Sequence, residues 1–309
     1  MGTPVIDRIE RLNRASAKRV IDPDVELVGN VGDGQLLPDE LLSVHGLDVH
    51  LTPERRRTLA REEVASIFDN GIRFEAILEA GFALQIARSA DLNDARITYL
   101  LHEMGEETRH QRLFQRVRQQ IEPTAGNPFA DVWIMGQIDR YGSAWIINHL
   151  PMLYVMVLAG EEIPDLLQKL ASEHPDTDPF LAQLSRYHRQ EEARHLSFAR
   201  AMLPEIWAKA TTSEKVAVRR VAPLIITQMF TFLVQPGVYE TVGLPGWATW
   251  KAVNRLPERI ALRQQATRPV LATLLDAGVV ATGRIPRAWQ KLCGVDAKGR
   301  PVVPAVQPA

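Results

Sequence analysis

Cysteine is almost absent: Cys293 stands alone among 309 residues. No disulfide framework can form within the chain, and a cysteine-based zinc or iron–sulfur site is excluded. Any metal must therefore sit on His and carboxylate side chains, donors that suit iron or manganese. Charge of one sign is lacking too. The formal net charge is −1, which gives no electrostatic case for nucleic acid or an anionic membrane surface as a partner. No apolar run is long enough to span a bilayer. The longest, Val221 to Val234, contains Gln228 and reads as a buried core helix. Met1 to Arg19 carries charges throughout and has no apolar h-region of a signal peptide, so a cytoplasmic location is expected by default. Alternating strand patterns are missing as well, which points to an all-α protein.

What is present is helical spacing. The chain reads as one helical domain over 1–309, with an irregular Gly-, Pro- and Asp-rich arm at 1–50 and an extended Pro/Val-rich tail at 299–309. Thr52-Pro53-Glu54 is a helix start: Thr caps, Pro is tolerated in the first turn, and Glu faces the positive end of the dipole. The helix it opens runs to Ser89. A second follows the turn Asp91 to Asp94 and runs to about Gln119. A third helical region covers 130–171, with breaks expected near Pro151 and Pro164. A fourth covers 179–202, and further helices are expected at about 213–236 and 255–280.

One internal echo carries the chemistry. Glu106-Glu107-Thr108-Arg109-His110 recurs as Glu191-Glu192-Ala193-Arg194-His195. His188, Glu192 and His195 are spaced i, i+4, i+7 and fall within an arc of about 60° on one helix face, as do Glu107 and His110 on theirs. Each copy has a carboxylate about thirty residues upstream, Glu75 and Glu161. Glu75 and Glu107 each lie about fourteen residues from the same turn, so both sit roughly 21 Å below it in an antiparallel hairpin. Glu79 is one turn out of level and is the second choice. Glu161 is closer than Glu162 to the apolar face of its helix. Glu106 falls off the face set by Ile97, Leu101 and Met104. Face alone does not separate Glu191 from Glu192, whereas the repeat favours Glu192. One Glu from each of two helices and one Glu-x-x-His from each of two others is the ligand set of ferritin-like di-iron carboxylate bundles. Carboxylates can bridge two metals and neutralise their charge, while imidazoles complete the coordination and leave positions open for dioxygen. Arg109 and Arg194 precede the two ligand histidines; they can pair with ligand or neighbouring carboxylates, but such Arg residues are more often exposed, so they are left outside the site. Met152, Met156, Met229, Phe230 and Phe232 are expected in the core.

The run His188-Arg-Gln-Glu-Glu-Ala-Arg-His195 resembles the signature of the p-aminobenzoate N-oxygenase family. The resemblance implies a di-iron site on four Glu and three His, here Glu75, Glu107, His110, Glu161, His188, Glu192 and His195, with His188 the ligand beyond the usual bundle set. It also implies a homodimeric bundle that uses dioxygen, through a peroxo di-iron intermediate, to oxidise the nitrogen of a small-molecule amine toward a nitro group. No flavin or nicotinamide fingerprint is present, so the electrons are expected from a separate reductase or electron-transfer protein. The alternatives are another di-iron oxidase, such as a C–H hydroxylase or desaturase, and a ferritin-like iron-binding protein.

Overall fold

The first departure from expectation is at the N-terminus. In the computed structural model, which describes residues 5–302 apart from the side chains at 134, 135, 138 and 139, Val5–Lys18 form helix α1. Its Val5, Ile9 and Leu12 follow helical spacing and pack into the larger core cluster, with Ile9 fully buried. The dense charges on its other face mask that stripe in the sequence. A single turn, α2 (Pro23–Glu26), follows, and the rest of the arm to Leu51 is irregular except for one 3₁₀ turn at Asp39–Leu41. Residues 303–309 of the expected tail lie outside the described residues.

Four long helices build the centre. Helix α3 (Pro53–Ala87) starts where the sequence places it, with Thr52 Oγ1 accepting from the Arg55 N–H. Helix α4 (Ala95–Ile121) is capped by Asp94. A short α5 (Trp133–Gln137), a π-helical turn (Ile138–Gly142) and α6 (Ser143–Ile147) lead to α7 (Leu150–Glu173). Helix α8 (Pro179–Lys209) completes the set. The α3–α4 and α7–α8 hairpins are the two most extensive helix pairings.

Two of the expected breaks fall differently. Pro151 lies in the first turn of α7, where its missing N–H costs nothing, and the chain turns before it, at Asn148 and His149. Pro164 does not interrupt α7. The carbonyl its ring crowds belongs to Gly160, which has no side chain of its own to hold in place. The region expected as one helix at 213–236 is three: α9 (Thr212–Arg220), α10 (Ala222–Phe232) and α11 (Pro236–Glu240), with Pro223 and Pro236 each opening a new first turn. Helix α12 (Gly246–Val253) precedes α13 (Pro257–Asp276), and α14 (Arg287–Cys293) ends the helical set. Helix α13 packs on α7 and α14, and α1 on α4 and α8. Among the described residues there is no strand, only an isolated bridge between Val295 and Pro301. The chain is an all-α, ferritin-like bundle with extra C-terminal helices. No single described helix is long and apolar enough to cross a membrane.

Helices α3 and α7 approach closely at two glycines. A Cβ on Gly160 would lie 1.9 Å from Cε1 of Phe74, and one on Gly81 would lie 2.8 Å from Leu153. Gly160 and Phe74 immediately precede Glu161 and Glu75, so this contact sets how near those two carboxylates come. Gly160→Ala is expected to destabilise the fold by about 1–3 kcal/mol, because the Phe74 ring must swing away or the helices must part. Urea denaturation of the two proteins checks it.

Candidate metal centre

The seven residues chosen by spacing converge. Glu75, His110 and His188 form one buried group, and Glu107, Glu161, Glu192 and His195 form a second; within each, the potential ligand atoms all lie within 4.8 Å of one another. Glu192 stands at the junction. Its oxygens lie 3.1 Å from His110 Nδ1, 3.2 Å from His188 Nε2 and 2.7 Å from His195 Nδ1. Glu107 lies 3.3 Å from both His110 Nδ1 and His195 Nδ1, and Glu75 3.4 Å from His188 Nε2.

Neighbouring carboxylates are accounted for elsewhere. Glu79 accepts from the Thr108 hydroxyl at 2.7 Å, and Glu162 pairs with Arg200. Glu106 and Glu191 are in neither group, yet both are buried, because each holds the far nitrogen of a histidine from the other repeat. His110 Nε2 donates to Glu191 at 3.1 Å, and His195 Nε2 donates to Glu106 at 2.8 Å. A carboxylate can only accept, so both Nε2 atoms carry hydrogen, and once Nδ1 sheds its own proton its lone pair faces the cluster. This is how a carboxylate orients a metal-ligating imidazole.

Of the two readings for Arg109 and Arg194, the structure shows pairing with neighbouring carboxylates and not the commoner exposure. Arg194 donates to Glu106 at 2.9 Å and to Glu191 at 3.2 Å, Arg109 lies 3.8 Å from Glu191, and the Tyr187 hydroxyl donates to Glu191 at 2.9 Å. The apolar face of one helix places Glu106 outside, whereas the crossing of α4 and α8 places it inside. The sequence signal was the repeat itself, which duplicates the first Glu of each pair and the Arg as faithfully as the ligands. His188 is held by Gln168, whose side-chain oxygen accepts from Nδ1 at 3.0 Å.

Electrostatics mark the cluster as built for positive charge. Glu75, Glu107, Glu161 and Glu192 are buried, and Glu75 and Glu161 each leave one oxygen with neither a hydrogen bond nor an imidazole beside it, an arrangement that costs free energy unless a cation faces it. Burial, together with neighbouring carboxylates, holds Glu75 and Glu161 well above the usual carboxylate range. Burial would lower His110 and His195, but the surrounding carboxylates outweigh it and hold both well above the ordinary imidazole value. Burial would raise Glu106, but His195 and Arg194 outweigh it and pull it down to about 2. Glu103, one turn before Glu107, is buried with neither oxygen hydrogen-bonded, and burial pushes it up to about 8. The donor set fits a pair of divalent ions: four carboxylates neutralise two such charges, and three imidazoles complete the coordination.

One side of the cluster opens onto a cavity of about 550 Å³. Glu75, Glu161 and His188 form part of its wall. The rest is mainly apolar, including Phe68, Phe74, Phe114 and Phe232. Met156, Met229 and Phe232, expected to be plain core, line this cavity. The apolar stretch at 221–234 accordingly shows one face to the core and another to the cavity, through Ile225, Met229 and Leu233.

The sequence model of the family described as P-aminobenzoate N-oxygenase AurF matches residues 5–278. This chain belongs to that family. It is also similar to uncharacterized proteins of Mycobacterium bovis (Mb0909) and Mycobacterium tuberculosis (Rv0885), each 26% identical over 186 residues. The aligned stretch is 59% of this chain and 53% of each relative, so the chain spans about half the length of these curated relatives. The family is one of oxygenases by its description, and the buried Glu/His groups are where a family member could hold metal.

Charge at the outer carboxylates should tune that site. Glu106→Gln keeps an acceptor for His195 Nε2 but removes the charge, and is expected to weaken metal binding about 10-fold; Glu106→Ala removes both and should approach 100-fold. Chelator competition on the folded variants measures both.

Proposed function

We propose that this chain is a dioxygen-activating non-haem di-iron oxygenase acting on the nitrogen of a small-molecule amine. Glu75, Glu107, His110, Glu161, His188, Glu192 and His195 would hold the two metals; the donor set also accepts manganese. The observation that carries the reading is the convergence of four buried carboxylates and three imidazoles into two groups whose potential ligand atoms lie within 4.8 Å of one another, beside a cavity large enough for a small organic substrate. When bound, two iron ions supply the electrons that reduce dioxygen, and an external donor restores them.

The protein's own residues do the rest. Glu106, Glu191 and Gln168 fix the imidazoles, so the cluster is preorganised before any ion arrives. The aromatic wall excludes water and presents the substrate to the side of the cluster formed by Glu75, Glu161 and His188. His188 completes the set of three imidazoles and is the position that separates an N-oxygenase from hydroxylases, desaturases and iron-storage bundles. A homodimer and a separate reductase belong to the same reading.

The test is turnover. Protein loaded anaerobically with ferrous iron is given reductant, ¹⁸O₂ and an arylamine panel, and products are read by mass spectrometry. Labelled oxygen on nitrogen, lost in His188→Ala, supports N-oxygenation. Labelled oxygen on carbon moves the chain to the hydroxylases. No oxidation by an iron-loaded protein across amines and hydrocarbons leaves only iron binding.

A further inference from the structure

The cavity wall carries information about the substrate that the metal cluster does not. Apart from Glu75, Glu161 and His188, none of the described residues lining it is titratable, and none of them is Lys or Arg. Its other polar side chains are Asn70, Ser143, Gln168 and Gln228. Two of these are already engaged: Asn70 Nδ2 donates to the Ser66 and Phe232 carbonyls, and Gln168 holds His188. Phe68, Phe74, Phe114, Phe232 and Trp145 supply the cavity's aromatic surface.

We propose, resting on the oxygenase reading above, that the substrate is a neutral, predominantly apolar arylamine, and that arylamines bearing a carboxylate on the ring are discriminated against. For oxygen to reach nitrogen, the amine end must face the cluster. The opposite end of the ring then lies among the apolar walls. A carboxylate there would give up part of its water to the apolar walls and find no cation among the described lining residues to replace it, a costly kind of burial. An alkylamine, protonated near neutrality, meets the same problem at the end nearest the metals, where it would face like charge. An arylamine is uncharged, and its ring stacks on the aromatic wall.

The experiment compares p-aminobenzoate with its ethyl ester, which shares the skeleton and differs in charge. Calorimetric titration of the full-length, iron-loaded protein, kept anaerobic, is expected to show the ester binding at least ten-fold tighter than the acid. Ile225→Arg, which puts a cation into the partly exposed wall, is expected to narrow or reverse that ratio. Equal or tighter binding of the acid by the wild-type protein overturns the proposal. So does binding of neither compound at millimolar concentration, or an unchanged ratio in a folded Ile225→Arg protein. Failure of the underlying oxygenase reading is read separately on the same samples, as absence of iron or absence of any oxidised product.

Discussion

Glu192→Ala is expected to drop iron from about two ions per chain to less than a tenth of that. No other side chain in the cluster reaches so many imidazoles: its two oxygens lie within 3.2 Å of ring nitrogens from His110, His188 and His195. Those histidines belong to both ligand groups. Deleting the carboxylate therefore removes a donor at the junction and a negative charge from a buried site, and two metal charges are left facing three carboxylates instead of four. The pairs around the site give the controls. Glu79→Ala and Glu162→Ala remove carboxylates that are close in sequence but partnered by Thr108 and Arg200, and both variants should keep their iron. Elemental analysis of protein grown in iron-rich medium decides it. Full iron in folded Glu192→Ala, or equal loss in the Glu79 control, would refute the assignment.

Iron loading should also raise thermal stability by about 10–20 °C at neutral pH, and the gain should shrink in acid. Each site that binds only the folded state stabilises it by about 2.7 kcal/mol at a free-ion concentration a hundred times its Kd, so two sites give about 5 kcal/mol. At 2–4 °C per kcal/mol this corresponds to the stated shift in Tm. The sign of the pH dependence follows from the empty site. Glu75 and Glu161 are held above the carboxylate range and His110 and His195 above the imidazole range, so the metal-free cluster retains protons near neutrality. Ligands must shed those protons to bind. The iron-bound state thus holds fewer protons than the metal-free one, affinity rises with pH across this window, and it is lost as pH falls. Calorimetric melts with and without ferrous iron at about pH 8 and pH 6 test it. An iron-induced shift of the same size at both values would contradict the proton exchange.

The helices and the convergence of seven residues were legible in the sequence for one reason: both depend on spacing along a single helix and on a repeat. Glu75 could be levelled with Glu107 by counting residues from the turn, and Gly160 and Gly81 let the neighbouring helices close at that level. What was not legible depends on how helices cross. Glu106 looks peripheral on α4 alone and becomes the partner of His195 only once α8 lies beside it. Met156, Met229 and Phe232 have the composition of core, and nothing local says that α7 and α10 leave space between them. Helix α1 was hidden because its apolar stripe is narrow and its remaining faces are charged. Proline also misled as a breaker at Pro164, since its effect depends on the residue four positions earlier.

The two ligand groups each draw on both hairpins: Glu75 from α3 and His110 from α4 meet His188 from α8, and Glu107 from α4 meets Glu161, Glu192 and His195 from α7 and α8. Neither half of the chain can complete even one group. A nascent polypeptide must therefore be extended through His195, and its two hairpins docked across separations as long as that from Glu75 to His188, before an ion finds its full set of donors. On the proposed function, metal capture would in this sense be a late event in the biogenesis of the molecule, a reporter of finished tertiary structure rather than a template for it.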